Sequence, residues 1–383
     1  MGTEWLRKIG ASIGGKQNRM FNYPVEKQKA YIARFPQPKD GFERGYFHYC
    51  CQMKLYGQPL HFFMNLAALP LSLYYLLTYK SAGKAGEETA DAVFFHDGKP
   101  FNIIPDSLQA RYAKIVSSAG DGKALTKEDR KFLNRIFRKY PVSWMLWLKV
   151  IIKVAQYSYA ITKYNPKAII CCSEYAYTGP FLTEYCHTRG VKLINVMHGE
   201  KMYYMRDSFA HYDEFYVWDQ HYVDLLTEEG ARQDQFLVEL PGSMRICKQA
   251  DIPVQYDYTY YLQDESKETL QVIANALQSL HAQGKRISVR PHPRFSDPVL
   301  VKALFPFANM EDCKAVSIEQ SLQQTGAVVS LFSTVLNQAV NSGIHIVIDD
   351  VSQKAHFEKL KQLRFICLYK EHQLLSEIVS KTH

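Results

Sequence analysis

Residues 166–200, PKAIICCSEYAYTGPFLTEYCHTRGVKLINVMHGE, decide the fold. The run 167–172 is apolar after its first residue, as a strand covered on both faces must be, and 191–197 repeats that character before breaking at His198-Gly199. Between them, 179–189 has helical spacing and stops at Gly190, a residue suited to the left-handed end of a helix. Two strands joined by a helix of this length must run parallel.

The same alternation continues outward. Downstream come a strand at 214–218, a helix at 220–229 closed by Gly230, and a strand at 235–242 that enters a Gly turn. Upstream, AVFF at 92–95 is a short strand ending in His96-Asp97-Gly98, and 126–140 is a basic amphipathic helix with Thr126 as N-cap. Residues 243–264, with Pro253 and a run of tyrosines and aspartates, read as an irregular crossing between domains. A second series follows: a helix at 265–283, a strand at 286–290 broken by Pro291-His292-Pro293-Arg294, and a short helix at 317–324. A strand at 327–332 then leads into Ser333-Thr334 and a helix to Asn341, and 344–349 is the next strand. This is an α/β chain of two doubly wound, Rossmann-like domains, 1–250 and 251–383. No fixed repeat period supports a solenoid, and residues 1–90 show no clean periodicity.

Composition agrees with a two-domain globular protein: 383 residues, 47% hydrophobic and 22% charged. The eight cysteines include no CxxC or Cys/His zinc spacing, so reduced thiols are expected and no metal. The opening residues lack the apolar core of a signal peptide, and MGTEWL lacks the hydroxyl residue of a myristoylation signal, which points to a cytoplasmic protein.

Of the net charge of +8, residues 1–80 supply +7, with eleven Lys/Arg against four Asp/Glu. No nucleic-acid-binding signature accompanies that basicity, so an anionic membrane surface or an acidic glycan is the expected partner. The stretch 62–78, FFMNLAALPLSLYYLLT, is uncharged and ends among tyrosines; Asn65 and Pro70 argue against spanning. Residues 142–161 form a second apolar stretch, interrupted by Lys149 and Lys153. Each stretch is either a core helix or a shallow interfacial one.

Ligands of open parallel sheets bind beyond the carboxyl ends of the strands. Four polar clusters fall there: His198-Gly199-Glu200, Gly242-Ser243, the Arg290–Arg294 cluster RPHPR, and Ser330 with Ser333-Thr334. In RPHPR, two prolines restrict the backbone around His292 and two arginines supply positive potential, which suits a nucleotide phosphate; the bland alternative is an exposed turn. Ser333 and Thr334 would present hydroxyls and first-turn N–H groups to the same kind of anion, or simply cap the helix. His198 is a candidate general base or a packed core histidine, and Gly199 would allow a close or strained approach. Asp97 offers a carboxylate base, although Asp-Gly is also a common turn. Neither GxGxxG after a strand nor GxxxxGK[ST] is present, which removes the main support for dinucleotide oxidoreductases and P-loop NTPases. With no DxD either, a nucleotide-sugar transferase would have to neutralise its leaving phosphate with protein groups.

The HP dipeptide His292-Pro293, followed about forty residues later by the hydroxyl pair Ser333-Thr334, resembles the bacterial GT-B sialyltransferases, polysialyltransferases and related capsule and lipopolysaccharide glycosyltransferases. The resemblance implies a GT-B fold, two Rossmann-like domains facing each other across a central cleft, and a CMP-activated sugar whose phosphate is held by the HP histidine and the hydroxyl pair. An acidic D/E-D/E-G motif supplies the base in that family; here Asp97-Gly98 is preceded by His96. His198-Gly199 is similar instead to the HG element of the membrane-associated CDP-glycerol-dependent teichoic-acid polymerases, whose histidine is a candidate base.

The expectation is a metal-independent, inverting glycosyltransferase at the inner face of the membrane. It would need no cofactor beyond a nucleotide-sugar co-substrate, CMP-linked in sialic-acid or Kdo fashion, and would act on a capsule or lipopolysaccharide glycan or glycolipid acceptor. Arg290, His292, Pro293, Arg294, Ser330, Ser333, Thr334, Gly242 and Ser243 are the expected donor residues, Glu200 an acceptor-side residue, and His198 or Asp97 the base. A CDP-glycerol or CDP-ribitol phosphotransferase, a UDP-sugar transferase or epimerase, and a non-enzymatic assembly partner are the rivals.

Overall fold

The computed structural model describes residues 21–80, 88–96, 101–118, 120, 122–246 and 252–380. The chain forms two compact units, one of residues 1–198 and 203–241, the other of 199–202 and 242–383. The division therefore falls between Pro241 and Gly242, with a short return at 199–202; residue 250, the boundary read from the sequence, lies outside the described residues.

Among the described residues, helices α1 (Val25–Ile32), α2 (Gly41–Tyr56) and α3 (Gln58–Thr78) precede the sheet of the first unit. The parallel series follows: β1 (Ala92–Phe95), α4 (Asp106–Arg111), β2 (Ile115–Ser117), α5 (Lys127–Lys139), α6 (Trp144–Tyr164), β3 (Ala168–Cys171), α7 (Gly179–Thr188), β4 (Lys192–Val196), β5 (Glu214–Val217), α8 (Gln220–Glu228) and β6 (Phe236–Val238). All six strands are parallel, in the order β2-β1-β3-β4-β5-β6, so the order reverses between β1 and β3. Thr126 caps α5 through a reciprocal box with Asp129, and Gly190 and Gly230 close α7 and α8 at φ of 66° and 92°, where a side chain would be strained.

The second unit contains β7 (Tyr256–Tyr261), α9 (Lys267–Ala282), β8 (Ile287–Arg290), α10 (Pro298–Leu304), β9 (Asn309–Met310), α11 (Ile318–Gln323), β10 (Thr325–Ser330), α12 (Thr334–Asn341), β11 (His345–Ile348), α13 (Lys354–Gln362), β12 (Gln373–Leu374) and α14 (Leu375–Ser380). Its parallel order β12-β11-β10-β7-β8-β9 is the 3-2-1-4-5-6 order of dinucleotide-binding sheets, with the switch point between β7 and β10. Strand β7 corrects the sequence reading. YDYTYY lies inside the expected irregular crossing, yet it is a central strand. Tyrosine and threonine favour strands, and Asp257, the misleading charge, sits at the open end, accepting from the backbone N–H of Arg286 at 2.7 Å.

The two apolar stretches separate cleanly. Helix α6 is a core helix with ten buried residues, including Leu146, Val150, Ile151 and Val154, so the interfacial alternative falls away there. In α3 only Ala68 and Ser72 are buried.

Candidate active site

In the first unit the polar cluster gathers at the carboxyl ends of β1, β3 and β4. His198, two residues past β4, places Nδ1 2.9 Å from Oε1 of Glu174, a carboxylate with no solvent exposure. Glu174 stands three residues past β3, in a turn clamped from both sides. The Ser173 N–H donates to Asn195 Oδ1 (2.8 Å) and the Ser173 carbonyl accepts from the Tyr212 hydroxyl (2.7 Å). The approach is an ion-pair distance without hydrogen-bond geometry at Nδ1; a carboxylate there favours the proton on Nδ1 and leaves Nε2 to accept, but it does not lock the ring. The rings of His96 and Tyr175 lie with centroids 6.1 Å from that of His198. An imidazole beside a buried acid is an arrangement from which a general base can be built.

Sequence reasoning named His198 and missed Glu174. The signal was present: SEY directly after the apolar strand IICC occupies the position where a parallel sheet presents its loops. Asp97 and Gly98 lie outside the described residues. Gly199 has no positive φ, and an added Cβ there would meet open space, so no strain singles it out.

In the second unit the switch point brings the HP loop and the α12 cap together through a residue the sequence did not flag, Gln263. Its Nε2 donates to Ser333 Oγ (3.2 Å), and its carbonyl accepts from Ser296 Oγ (3.4 Å). Ser296 Oγ in turn accepts from the His292 backbone N–H (2.8 Å). Ser333 is the N-cap of α12, its Oγ accepting from Val335 N–H at 3.3 Å, and Thr334 begins the helix. His292 Nδ1 accepts from the Arg294 N–H (3.1 Å), so the neutral ring carries its proton on Nε2 and donates from there. Burial, then the Arg294 charge, lowers its pKa and favours that neutral form. Its ring stacks on Phe295 at 4.5 Å, while Pro293 and Arg294 are exposed.

Four expected donor residues have other duties. Arg290 is buried, with Nη1 on Glu311 Oε2 (2.8 Å) and Nη2 on the Val316 carbonyl (2.9 Å), so its charge is spent inside the fold and adds no positive potential outside. Ser330 is buried and donates to the Tyr261 carbonyl (2.9 Å), pinning β10 to β7. Gly242-Ser243 forms a short turn whose Ser243 carbonyl accepts from Gln338, a full turn along α12 from the cap. Glu200, expected on the acceptor side, packs with the second unit and accepts from Asn337 of α12 (3.2 Å). Among the described residues no group of three or more His, Cys, Asp or Glu could hold a metal ion.

No family model matches the chain, and no curated protein matches it. It is similar in outline to solved structures. A wall teichoic acid polymerase, TagF, is 9% identical, with 85% of this chain and 88% of that one covered and a TM-score of 0.45. The UDP-GlcNAc 2-epimerase from Neisseria meningitidis is 10% identical over 76% and 89%, TM-score 0.42. The lipopolysaccharide outer core galactosyltransferase WaaB is 12% identical over 75% and 92%, TM-score 0.38. None of these likenesses assigns this chain a reaction.

Proposed function

We propose that the chain is a GT-B glycosyltransferase that moves a sugar from a nucleotide donor, CMP-linked by the likeness of its HP and Ser-Thr elements, onto a bacterial capsule or lipopolysaccharide glycan. The observation that carries the reading is the second unit's switch point, where Gln263 ties the His292 loop to the Ser333 cap. A neutral histidine N–H, a hydroxyl and the open N–H groups of a helix start all serve one purpose there, meeting an anion. His198, oriented by Glu174, takes the proton of the acceptor hydroxyl at Nε2 as the new glycosidic bond forms. The bond from the sugar to the phosphate oxygen breaks in the same displacement, with inversion. The nucleotide leaves as an anion stabilised by His292 Nε2–H and the α12 N-terminus.

The test is thermal stabilisation of the purified chain by CMP, CDP, UDP and GDP at equal concentration, since selective binding raises stability by mass action. A preference for CMP supports the reading. CDP moves it to a polyol-phosphate transferase and UDP to a hexose donor, while no shift with any nucleotide sinks it.

A further inference from the structure

The first unit has a pocket of about 370 Å³ between α2, α3, α6 and the turn after β3. Its walls carry methionines from three helices, Met53, Met64 and Met145, side chains that adapt to a flexible apolar ligand. Into this apolar space come three cations: Lys149, Lys153 and Arg206. Lys149 and Lys153 stand one turn apart on α6, where like charges repel, and among the described residues neither has a carboxylate within 4 Å. Lys153 is half-buried, 5.4 Å over the Phe95 ring, and burial pulls its pKa down, as expected of a cation lacking its counter-ion. Arg206 is paired through Nε with the buried Asp207 carboxylate (3.2 Å), lies 5.1 Å from the rings of both Tyr175 and Tyr204, and has its carbonyl held by His48 Nε2 (2.6 Å) and Gln52 Nε2 (3.2 Å), so the two lysines are the cations without a carboxylate. Cationic groups on an apolar lining fit an anion attached to a greasy chain.

Helix α3, which contributes Met64, supplies the second observation. Its 21 residues include no charge, and its outer face exposes Phe62 (64%), Phe63 (66%), Leu73 (52%) and Leu77 (83%). The inner side is tied to the start of α6: Asn65 donates to the Val142 carbonyl (2.8 Å) and accepts from Met145 N–H (2.9 Å). The helix is long and apolar enough to cross a membrane, but Asn65 near one end and, at the other, Arg130, which donates to the carbonyls of Leu76 (2.6 Å) and Tyr79 (2.8 Å), hold it lengthwise against the unit. Tyr74, Tyr75 and Tyr79 cluster at its end with Lys80 beyond, the composition of a membrane interface.

We propose that α3 lies in the surface of a bilayer and that the pocket beside it receives the phosphate head of a lipid-linked acceptor, with Lys149 and Lys153 on the phosphate and the methionine wall on the first part of the chain. This rests on the reading of His198 as the base, because Tyr175 borders both the pocket and the His198 ring. It names the acceptor class that reading leaves open: a glycan carried on a lipid phosphate.

The experiment is co-sedimentation of the full chain with vesicles of phosphatidylcholine alone, with phosphatidylglycerol added, or with undecaprenyl phosphate added to the same charge. The last should bind most tightly, and the K149Q/K153Q variant should lose that preference by about tenfold or more. L73S/L77S should weaken attachment to all three vesicles. Equal recruitment by phosphatidylglycerol, a preference that survives K149Q/K153Q, or attachment indifferent to L73S/L77S overturns the proposal. CMP-induced stabilisation, measured on the same variants, should be unchanged. If lipid binding behaves as stated while no nucleotide binds, the glycosyltransferase reading fails and the lipid site stands.

Discussion

The two units each place a histidine just past a parallel strand, and their surroundings favour opposite placements of the ring proton. His198 has a fully buried carboxylate 2.9 Å from its Nδ1, which favours the proton there and leaves Nε2 to accept. His292 has a backbone N–H at its Nδ1 and an arginine nearby, which makes Nε2 a proton donor. Residue type and topological position are shared; what differs is the group on the far ring nitrogen. The same contrast separates the two units' buried carboxylates. Glu174 lies against an imidazole, whereas Glu311 is neutralised by Arg290 inside the fold.

The sharpest way to break this comparison is His198→Ala. Loss of a positioned base should cost about 10² to 10⁴ in turnover while leaving CMP-induced stabilisation intact. An equal loss of nucleotide binding would show that the two histidines do not have separate duties. Glu174→Gln should cost about 10 to 100-fold in turnover by releasing the ring's orientation. Next comes Arg290→Ala, which leaves Glu311 buried without its partner and should destabilise the protein by about 3–5 kcal/mol in a denaturant titration. R290M/E311M should recover much of that loss. If R290A were stable and merely bound donor less well, Arg290 would belong to the site after all.

Much of this was readable in the chain because parallel strands covered on both faces must be apolar along their length. KAIICC, VKLINVM and AVVSLF announced themselves, and with them the loops carrying His198 and Ser333. Strand β7 was hidden because its buried side chains are tyrosines whose hydroxyls find partners inside: Tyr260 on Asp349 (2.6 Å) and Tyr261 with Ser321 (2.7 Å). Losing β7 also hid Gln263, which follows it. Arg290 misled for the converse reason. A charged residue at a strand end reads as ligand-facing, and only the fold reveals Glu311, the residue after the neighbouring strand β9, taking the charge. Glu174 and Glu200 lie at comparable loop positions, and nothing local in the sequence says that one packs under a histidine and the other on α12.

A smaller effect is expected at His292. His292→Ala removes one hydrogen-bond donor to a phosphate, worth about 1.5–3 kcal/mol, so the CMP dissociation constant should rise about 10 to 150-fold by calorimetry with the melting temperature of the free protein little changed. Unaltered affinity would remove His292 from the donor site and leave the switch point without its main hydrogen-bond donor side chain.

The smallest effect sharpens the comparison through pH. Burial pushes the Glu265 carboxyl up to about 7; the N–H of Gln263, at 2.8 Å from both oxygens, opposes that, and the Asp349 and Asp264 carboxylates add to the rise. Because the folded pKa exceeds the ordinary 4.5, the protonated form is favoured by folding. The stabilisation it gives is complete below about 4.5 and is lost as pH rises through about 7. Glu265→Gln keeps an acceptor for the Gln263 N–H and removes the charge. The variant should therefore melt higher than the parent at pH 8 and together with it at pH 5. Since Gln263 is also the bridge to Ser333, CMP-induced stabilisation of the parent should weaken above pH 7 as Glu265 ionises beside an anion site, and that of the variant should not. Identical pH profiles for the two proteins would mean that Glu265 is already ionised in the fold and that the switch point receives its anion next to a standing negative charge.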